Sequence, residues 1–184
     1  MISYENIHDS TVFYEKRGYS RLETPWTVSK YVAHLTKPKD AADKIDYELN
    51  HNKKVLVASG EQSFLYLYLK GFLPLGRYQT VTPCFRDELF DETHTKYFLK
   101  NEIMITDYVN DDALQKVIKD ALGFFETKLK EPSELKVVES ECGFDIEYKG
   151  IELGSYGMRK SKFLEWIFAT GCAEPRLSFC QKLK

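Results

Sequence analysis

A chain of 184 residues is long enough for one domain with a sizeable core and too short for two ordinary ones. Its 43% hydrophobic and 29% charged residues match a soluble globular composition, and 26 Lys and Arg against 28 Asp and Glu leave a net charge of −2, which excludes a strongly basic nucleic-acid wrapper. No apolar run approaches the roughly 20 residues needed to cross a bilayer. Met1 to Glu15 carries no basic-then-apolar leader pattern, so a cytoplasmic protein without membrane contact is expected.

The elements follow in chain order. Residues 2–17 read as a helix with Ile2, Ile7, Val12, Phe13 and Tyr14 as its apolar members, ended by Gly18. Tyr19 to Thr24 is a short extended run stopped by Pro25. The charged segment 36–54 reads as a mobile surface loop or a short helix. Val55 to Ala58 is a short buried strand, and Glu61 to Phe72 a helix rich in Leu, Tyr and Phe. Arg77 to Phe85 alternates as a strand, residues 85–94 form a polar loop, and Tyr97 to Val109 is a second strand that pairs back antiparallel.

Asn110 opens a long helix with Leu114, Val117, Ile118, Ala121, Leu122, Phe125 and Leu129 at helical spacing, and Pro132 ends it. Three strands follow, Leu135–Ser140, Phe144–Tyr148 and Ile151–Tyr156, with turns at Cys142-Gly143 and Lys149-Gly150. Phe163 to Thr170 is a further strand broken by Gly171, and 175–184 a closing helix with Pro175 in its first turn. Adjacent strands joined by hairpins predict an α+β fold: one domain over residues 1–184, with an antiparallel sheet flanked by helices.

Cys84, Cys142, Cys172 and Cys180 form no CxxC pair, and the four histidines show no ligand spacing, so neither a zinc ribbon nor a redox motif is indicated. Neither GxGxxG nor GxxxxGK[ST] is present. A nucleotide can still be held by arginines, an aromatic platform and carboxylate-bound magnesium. Those residue types occur in order. Phe85-Arg86-Asp87-Glu88 closes one strand, a loop follows to His94, Phe98 opens the return strand, and Glu102 lies along it. Asp145, Glu152, Ser155 and Arg159 follow on the hairpins, and Gly171-Cys-Ala-Glu-Pro-Arg176-Leu comes last.

These segments resemble the catalytic core of a class II aminoacyl-tRNA synthetase, most of all its aspartyl/asparaginyl/lysyl branch. Gly18 to Pro25 resembles motif 1, Tyr78 to Glu88 motif 2, and Gly171 to Leu177 motif 3. Phe98 lies 12 residues after Arg86 and four after His94, the spacing of that branch. The resemblance implies ATP and Mg2+ as cofactors. Arg86 would grip the α-phosphate and the substrate carboxylate. Glu88 would hold the adenine amino group or steady its loop, and His94 would reach the outer phosphates. Phe98 and Arg176 would sandwich the adenine, with Arg176 near the γ-phosphate. Asp145 and Glu152, seven residues apart, correspond to the magnesium-binding acids. Gln62, Glu102, Ser155 and Arg159 would bind the amino-acid substrate. An arginine at the place of Arg159 implies an acid or amide side chain, such as that of aspartate or asparagine.

The chain departs from the pattern where Leu65 replaces a substrate-binding lysine and where Ala173-Glu174-Pro175 replaces part of a glycine-rich stretch. The resemblance implies a homodimer built on motif 1. It also implies an amino-acid-activating ligase whose acceptor is RNA, protein or ammonia rather than a tRNA read through its anticodon, as in the similar ammonia-dependent asparagine synthetase. A catalytically silent paralogue that binds an amino acid or ATP and regulates a partner is the alternative.

Overall fold

A computed structural model describes residues 1–37, 46–50, 53–87 and 95–183. Helix α1 (Tyr4–Glu15) is capped by Ser3, whose hydroxyl accepts from Asn6 N, and it ends before Gly18 at φ 88°. Strand β1 (Ser20–Arg21) follows, then β2 (Thr27–Ser29) and the short helix α2 (Lys30–His34), both unforeseen from sequence. Next come β3 (Lys54–Leu56), α3 (Gly60–Leu69), β4 (Arg77–Phe85) and β5 (Tyr97–Ile105). Helix α4 (Asp111–Glu126) is followed by a single 3-10 turn at Pro132–Glu134. Strands β6 (Leu135–Ser140), β7 (Gly143–Tyr148), β8 (Ile151–Lys160) and β9 (Glu165–Glu174) and helix α5 (Arg176–Cys180) complete the fold.

Seven strands form one sheet in the order β1-β4-β5-β9-β8-β7-β6, while β2 and β3 pair separately. Among the described residues only β1 runs parallel to its neighbour; the other pairings in both sheets are antiparallel. The predicted strand 77–85 and its return partner are found in register, Arg77 opposite Ile105 and Phe85 opposite Tyr97. The Lys149-Gly150 turn has φ values of 51° and 79°, the two positive values that a type I′ hairpin requires.

Several expected bounds change: β5 ends at Ile105 rather than Val109, and β8 runs on to Lys160 rather than stopping at Tyr156. Strand β9 does not break at Gly171 but continues to Glu174, and the closing helix is only the five residues of α5. Gly171 is a glycine because α1 presses on it. A Cβ there would lie 2.9 Å from Tyr14 Cε2 and 3.1 Å from Asn101 Nδ2. The glycine therefore marks a close approach inside a strand rather than a chain break.

The face under α1 and α4 carries the larger core. Tyr14, Phe124 and Phe125 meet Ile103, Ile146, Tyr156 and Ile167 from the sheet. Helix α4 supplies this stripe from a start capped by Asn110, whose Oδ1 accepts from Ala113 N at 2.9 Å. The buried side of α1 is more polar than its sequence suggests. Asn6, Ser10 and Thr11 are buried with Ile7 and Tyr14, while Val12 and Phe13 are only partly covered. Those polar groups dock the helix by hydrogen bonds. Asn101 Nδ2 donates to Ser10 Oγ at 2.9 Å, and Gln79 Nε2 donates to Thr11 O at 3.1 Å.

On the opposite face, α2, α3 and the β2–β3 pair cover part of the sheet, packing Val28, Val55, Phe64 and Leu65 with Trp166 and Phe168 of β9. Gly60 starts α3 directly above Thr80, Thr82 and Glu102. Glu102, 1% exposed, fastens the helix there. Its Oε1 accepts from Ser59 Oγ at 2.8 Å and its Oε2 from Gly60 N at 2.9 Å. A carboxylate on these N-terminal groups satisfies donors that a helix start leaves unpaired. Beyond α3 the sheet face opens into a cleft. Among the described residues no helix is long and apolar enough to cross a membrane.

Two substitutions test this architecture. Gly171→Ala should lower stability by about 1–3 kcal/mol, the usual effect of overpacking, measured by urea unfolding. Glu102→Gln should also destabilise at neutral pH, by about 3 kcal/mol, because it leaves Lys100 without its buried partner. Burial pushes the Glu102 carboxyl up, but Lys100, the Ser59 hydroxyl and Arg86 outweigh it and hold it below its ordinary value of 4.5. Its stabilisation is therefore present above pH 4.5 and is lost as pH falls through the lower folded value. The gap between wild type and Glu102→Gln should close in acid unfolding below pH 4.5.

Candidate active site

The cleft has a volume of about 210 Å³ and is built by the ends of elements from distant parts of the chain. Strand β4 delivers Arg86 just past its last residue, and β5 presents Phe98 and Lys100. Strand β8 supplies Glu152, Gly154 and Ser155, β9 supplies Thr170 and Glu174, and α5 begins with Arg176. One row of residues crosses the sheet and brings Thr170 and Ser155 to the cleft: Thr80 opposite Glu102, Glu102 opposite Thr170, Ser155 N bonded to Thr170 Oγ1, and Asp145 opposite Ser155. Period-two alternation puts these side chains on one face, which is why residues so far apart in sequence share a surface.

Arg86 stands over the Phe98 ring, with its Cζ 5.0 Å from the ring centroid, and its Nε donates to Ala58 O at 3.1 Å. A cation over an aromatic face is attracted by the ring quadrupole, so each side chain orients the other. Across the cleft, Arg176 Nη1 donates to Glu152 Oε1 at 2.8 Å, and Ser155 Oγ donates to the same oxygen at 3.3 Å. Asp145 lies behind Ser155, and its Oδ1 is buried without a hydrogen-bond partner. Burial raises the Asp145 carboxyl above its ordinary value; the Ser155 hydroxyl opposes the rise and the Glu152 charge adds to it.

Of the residues singled out in the sequence, Arg86, Phe98, Glu152, Ser155 and Arg176 line this one cleft. Glu88 and His94 lie outside the described residues. Gln62, Glu102 and Arg159 are not among the lining side chains, and each is engaged elsewhere. Gln62 is 4% exposed; its Oε1 accepts from Ala58 N at 2.9 Å, and its Nε2 donates to Ala33 O and Thr36 Oγ1, each at 3.1 Å. It ties α3 to α2. Leu65, where the resembling branch carries a lysine, is core. Arg159 donates to Thr36 O at 2.8 Å, pairs with Glu61 at 3.3 Å, and lies on the Phe168 ring. Glu61 is buried and also accepts from Trp166 Nε1 at 2.5 Å. Burial raises its carboxyl above the ordinary value, although Arg159 pulls it down.

Sequence reasoning passed over Lys100, Thr170 and Glu174. Lys100 could have been found by alternation, since it lies two residues from Phe98 on the same strand and therefore on the same face. Glu174 had no such signal. Its carboxylate accepts from Ser3 N at 3.2 Å, Asn6 Nδ2 at 2.7 Å and Ser178 Oγ at 2.6 Å, all contacts of the tertiary fold.

Among the described residues no group of three or more His, Cys, Asp and Glu side chains comes together as a metal site. The donors fit an ion that arrives on a phosphate instead. Such a magnesium needs only one or two protein carboxylates. Glu152 offers one at the cleft wall, and Asp145 has an unsatisfied oxygen behind it.

Neither a family model nor a curated protein matches the sequence. Solved structures do match the fold. Over 95% of this chain, the pyrrolysyl-tRNA synthetase of Desulfitobacterium hafniense superposes with a TM-score of 0.71 at 16% identity. The seryl-tRNA synthetase of Pyrococcus horikoshii, solved with ATP, gives 0.72 at 16% identity over the same share. The cytoplasmic serine–tRNA ligase of Naegleria fowleri, solved with AMP, gives 0.72 at 18% identity. The chain spans 67% of the pyrrolysyl enzyme but only 48% and 47% of the two seryl ones. The α+β architecture, a mostly antiparallel seven-stranded sheet flanked by helices, is that of class II aminoacyl-tRNA synthetase catalytic cores.

Proposed function

We propose that the chain is an ATP-dependent ligase that activates an amino acid as its adenylate. The observation that carries this reading is the convergence of Arg86, Phe98 and Arg176, from three separate segments, on one cleft. The neighbours solved with ATP and with AMP support a nucleotide as the ligand of such a fold.

The chemistry needs no general base, because a carboxylate is already a nucleophile. It attacks the α-phosphorus of ATP, the bond from that phosphorus to the bridging oxygen breaks, and pyrophosphate leaves. Positioning and charge neutralisation then carry the catalysis. Arg86, held by Ala58 O and Phe98, is pre-oriented to neutralise charge developing on the α-phosphoryl oxygens. Phe98 offers an aromatic surface to the adenine. Arg176 exchanges Glu152 for an outer phosphate. Glu152 and Asp145 would hold the magnesium that ATP brings, and that ion would supply charge neutralisation at the phosphates.

The substrate in this proposal is aspartate- or asparagine-like, and the acceptor is not a tRNA recognised through its anticodon; Arg159, which the resemblance implies as the reader of that side chain, lies outside the cleft lining and would have to leave Glu61 and Thr36 to reach it. The pairing of Arg159 with buried Glu61 favours an uncharged amide over a second carboxylate, since the guanidinium already has an anionic partner. The chain pairs as a homodimer through α1 and the edge strand β1. A second reading, a silent paralogue that binds ATP or an amino acid and regulates a partner, is favoured by the same engagement of Arg159 and by the burial of Leu65.

Pyrophosphate–ATP exchange screened over the twenty amino acids decides between the two. Exchange with asparagine or aspartate is expected. ATP binding with no exchange for any amino acid would establish the silent reading. Arg86→Ala and Arg176→Ala should each weaken ATP binding by about tenfold or more, as loss of a charged hydrogen bond implies, with folding intact by circular dichroism. Sedimentation at micromolar concentration should give a dimer, and a stable monomer would remove motif 1 from the interface.

A further inference from the structure

Arg176 stands on a helix that cannot fix its own position. Helix α5 has only five residues, Arg176–Cys180, and buries Leu177 and Cys180. A helix that short has no stability of its own in water, so its direction is set by what it is bonded to. Both of its ends are bonded to one residue of α1. Before α5, Glu174 Oε1 accepts from Asn6 Nδ2 at 2.7 Å. Beyond α5, Gln181 Oε1 accepts from the same Nδ2 at 3.0 Å, and Gln181 Nε2 donates to Asn6 Oδ1 at 3.4 Å.

Glu174 completes this clamp. Its Oε2 accepts from Ser178 Oγ, within α5, at 2.6 Å and from Ser3 N, at the cap of α1, at 3.2 Å. The donors are a backbone amide, a side-chain amide and a hydroxyl, none of them a cation. A buried carboxylate without a counter-ion is costly unless hydrogen bonds fill its lone pairs, so these bonds are held together or lost together. They fix β9, α1 and α5 relative to one another at the cleft wall, where Glu174 and Arg176 both lie. The Arg176–Glu152 contact is of another kind. Those two side chains are 19% and 44% exposed, so a ligand can take that place, whereas the Asn6–Glu174 bond is buried.

We infer that Asn6 and Glu174 are positioning residues for Arg176, so that the seat of α1 on the sheet sets how tightly the cleft holds the outer phosphates of a nucleotide. This rests on the proposed nucleotide binding, and it holds for an active ligase and for a silent paralogue alike. Both residues act through the guanidinium rather than on the ligand. The coupling is reciprocal: a triphosphate bound at Arg176 steadies α1 by the same free energy by which α1 favours the triphosphate. A monophosphate has no outer phosphate and leaves α1 as it was.

The test uses the whole chain and the variants Asn6→Ala, Asn6→Asp and the double variant Asn6→Asp with Glu174→Gln. Calorimetry measures ATP and AMP affinity, with folding checked by circular dichroism. Asn6→Ala and Asn6→Asp should each lower ATP affinity by about fivefold or more, a typical coupling between sites, and leave AMP affinity within twofold of wild type. The double variant restores the bond with donor and acceptor exchanged, and should recover most of the loss. In the wild type, hydrogen exchange at the α1 amides should be slowed more by saturating ATP than by saturating AMP. Folded Asn6 variants that keep ATP affinity within twofold, or that lose ATP and AMP affinity equally, would overturn the assignment while nucleotide binding stands. Equal protection of α1 by ATP and AMP would overturn it without any variant. If the wild type binds neither nucleotide, the nucleotide reading falls and this assignment falls with it.

Discussion

The carboxylate of Glu102 organises one whole face of the molecule. It sits near the centre of the sheet, on β5, and accepts from the first backbone amide of α3, from the Ser59 hydroxyl and from Lys100. A buried charge of this kind is tolerable only when its lone pairs are filled, and here they are. Filling them fixes where α3 begins. That start determines how much of the sheet the helix covers and how much stays open. The cleft is the uncovered remainder, so its position follows from the length and anchoring of α3 as much as from the residues that line it.

A second constraint ties the other face to the same cleft. Glu174, fully buried at the end of β9, has no cationic partner among its hydrogen bonds and is satisfied by Ser3, Asn6 and Ser178. Asn6 also accepts from and donates to Gln181 beyond α5. Helix α1 is thus bonded to both sides of Arg176, two residues past Glu174. The polar stripe of α1 that looked out of place for a core helix is what aligns this corner, and Gly171 lets the helix come close enough to do it.

How much could be read from the sequence depended on whether the cause of each feature was local. The β4–β5 pair was legible because Arg77–Phe85 alternates as a strand and the run from Tyr97 is long enough to pair back on it, although β5 ends at Ile105 rather than Val109. Helix α4 was legible through Asn110 and its apolar spacing. Strand β9 was misread at Gly171 because the reason for that glycine is the Tyr14 ring, 157 residues away in sequence. Strand β2 and helix α2 are too short to leave a periodic signal. In the site, residue types and order were visible, but partners were not. Nothing near Arg159 in sequence announces Glu61 or Thr36, and nothing near Gln62 announces Ala33. Those pairings belong to the packing of α2 and α3 on the sheet.

The Arg176–Glu152 contact carries a consequence for how ligands are taken up. Arg176 brings its own counter-ion, so an incoming phosphate trades places with a carboxylate instead of meeting a bare positive charge. Such a cleft behaves as an ion exchanger. The long-range field that draws an anion toward it is weakened at the source, while the short-range hydrogen bonds that hold it are kept. Association should therefore be governed by fit at contact distance more than by attraction from afar, and its salt dependence should be shallow for a site that holds three cationic side chains.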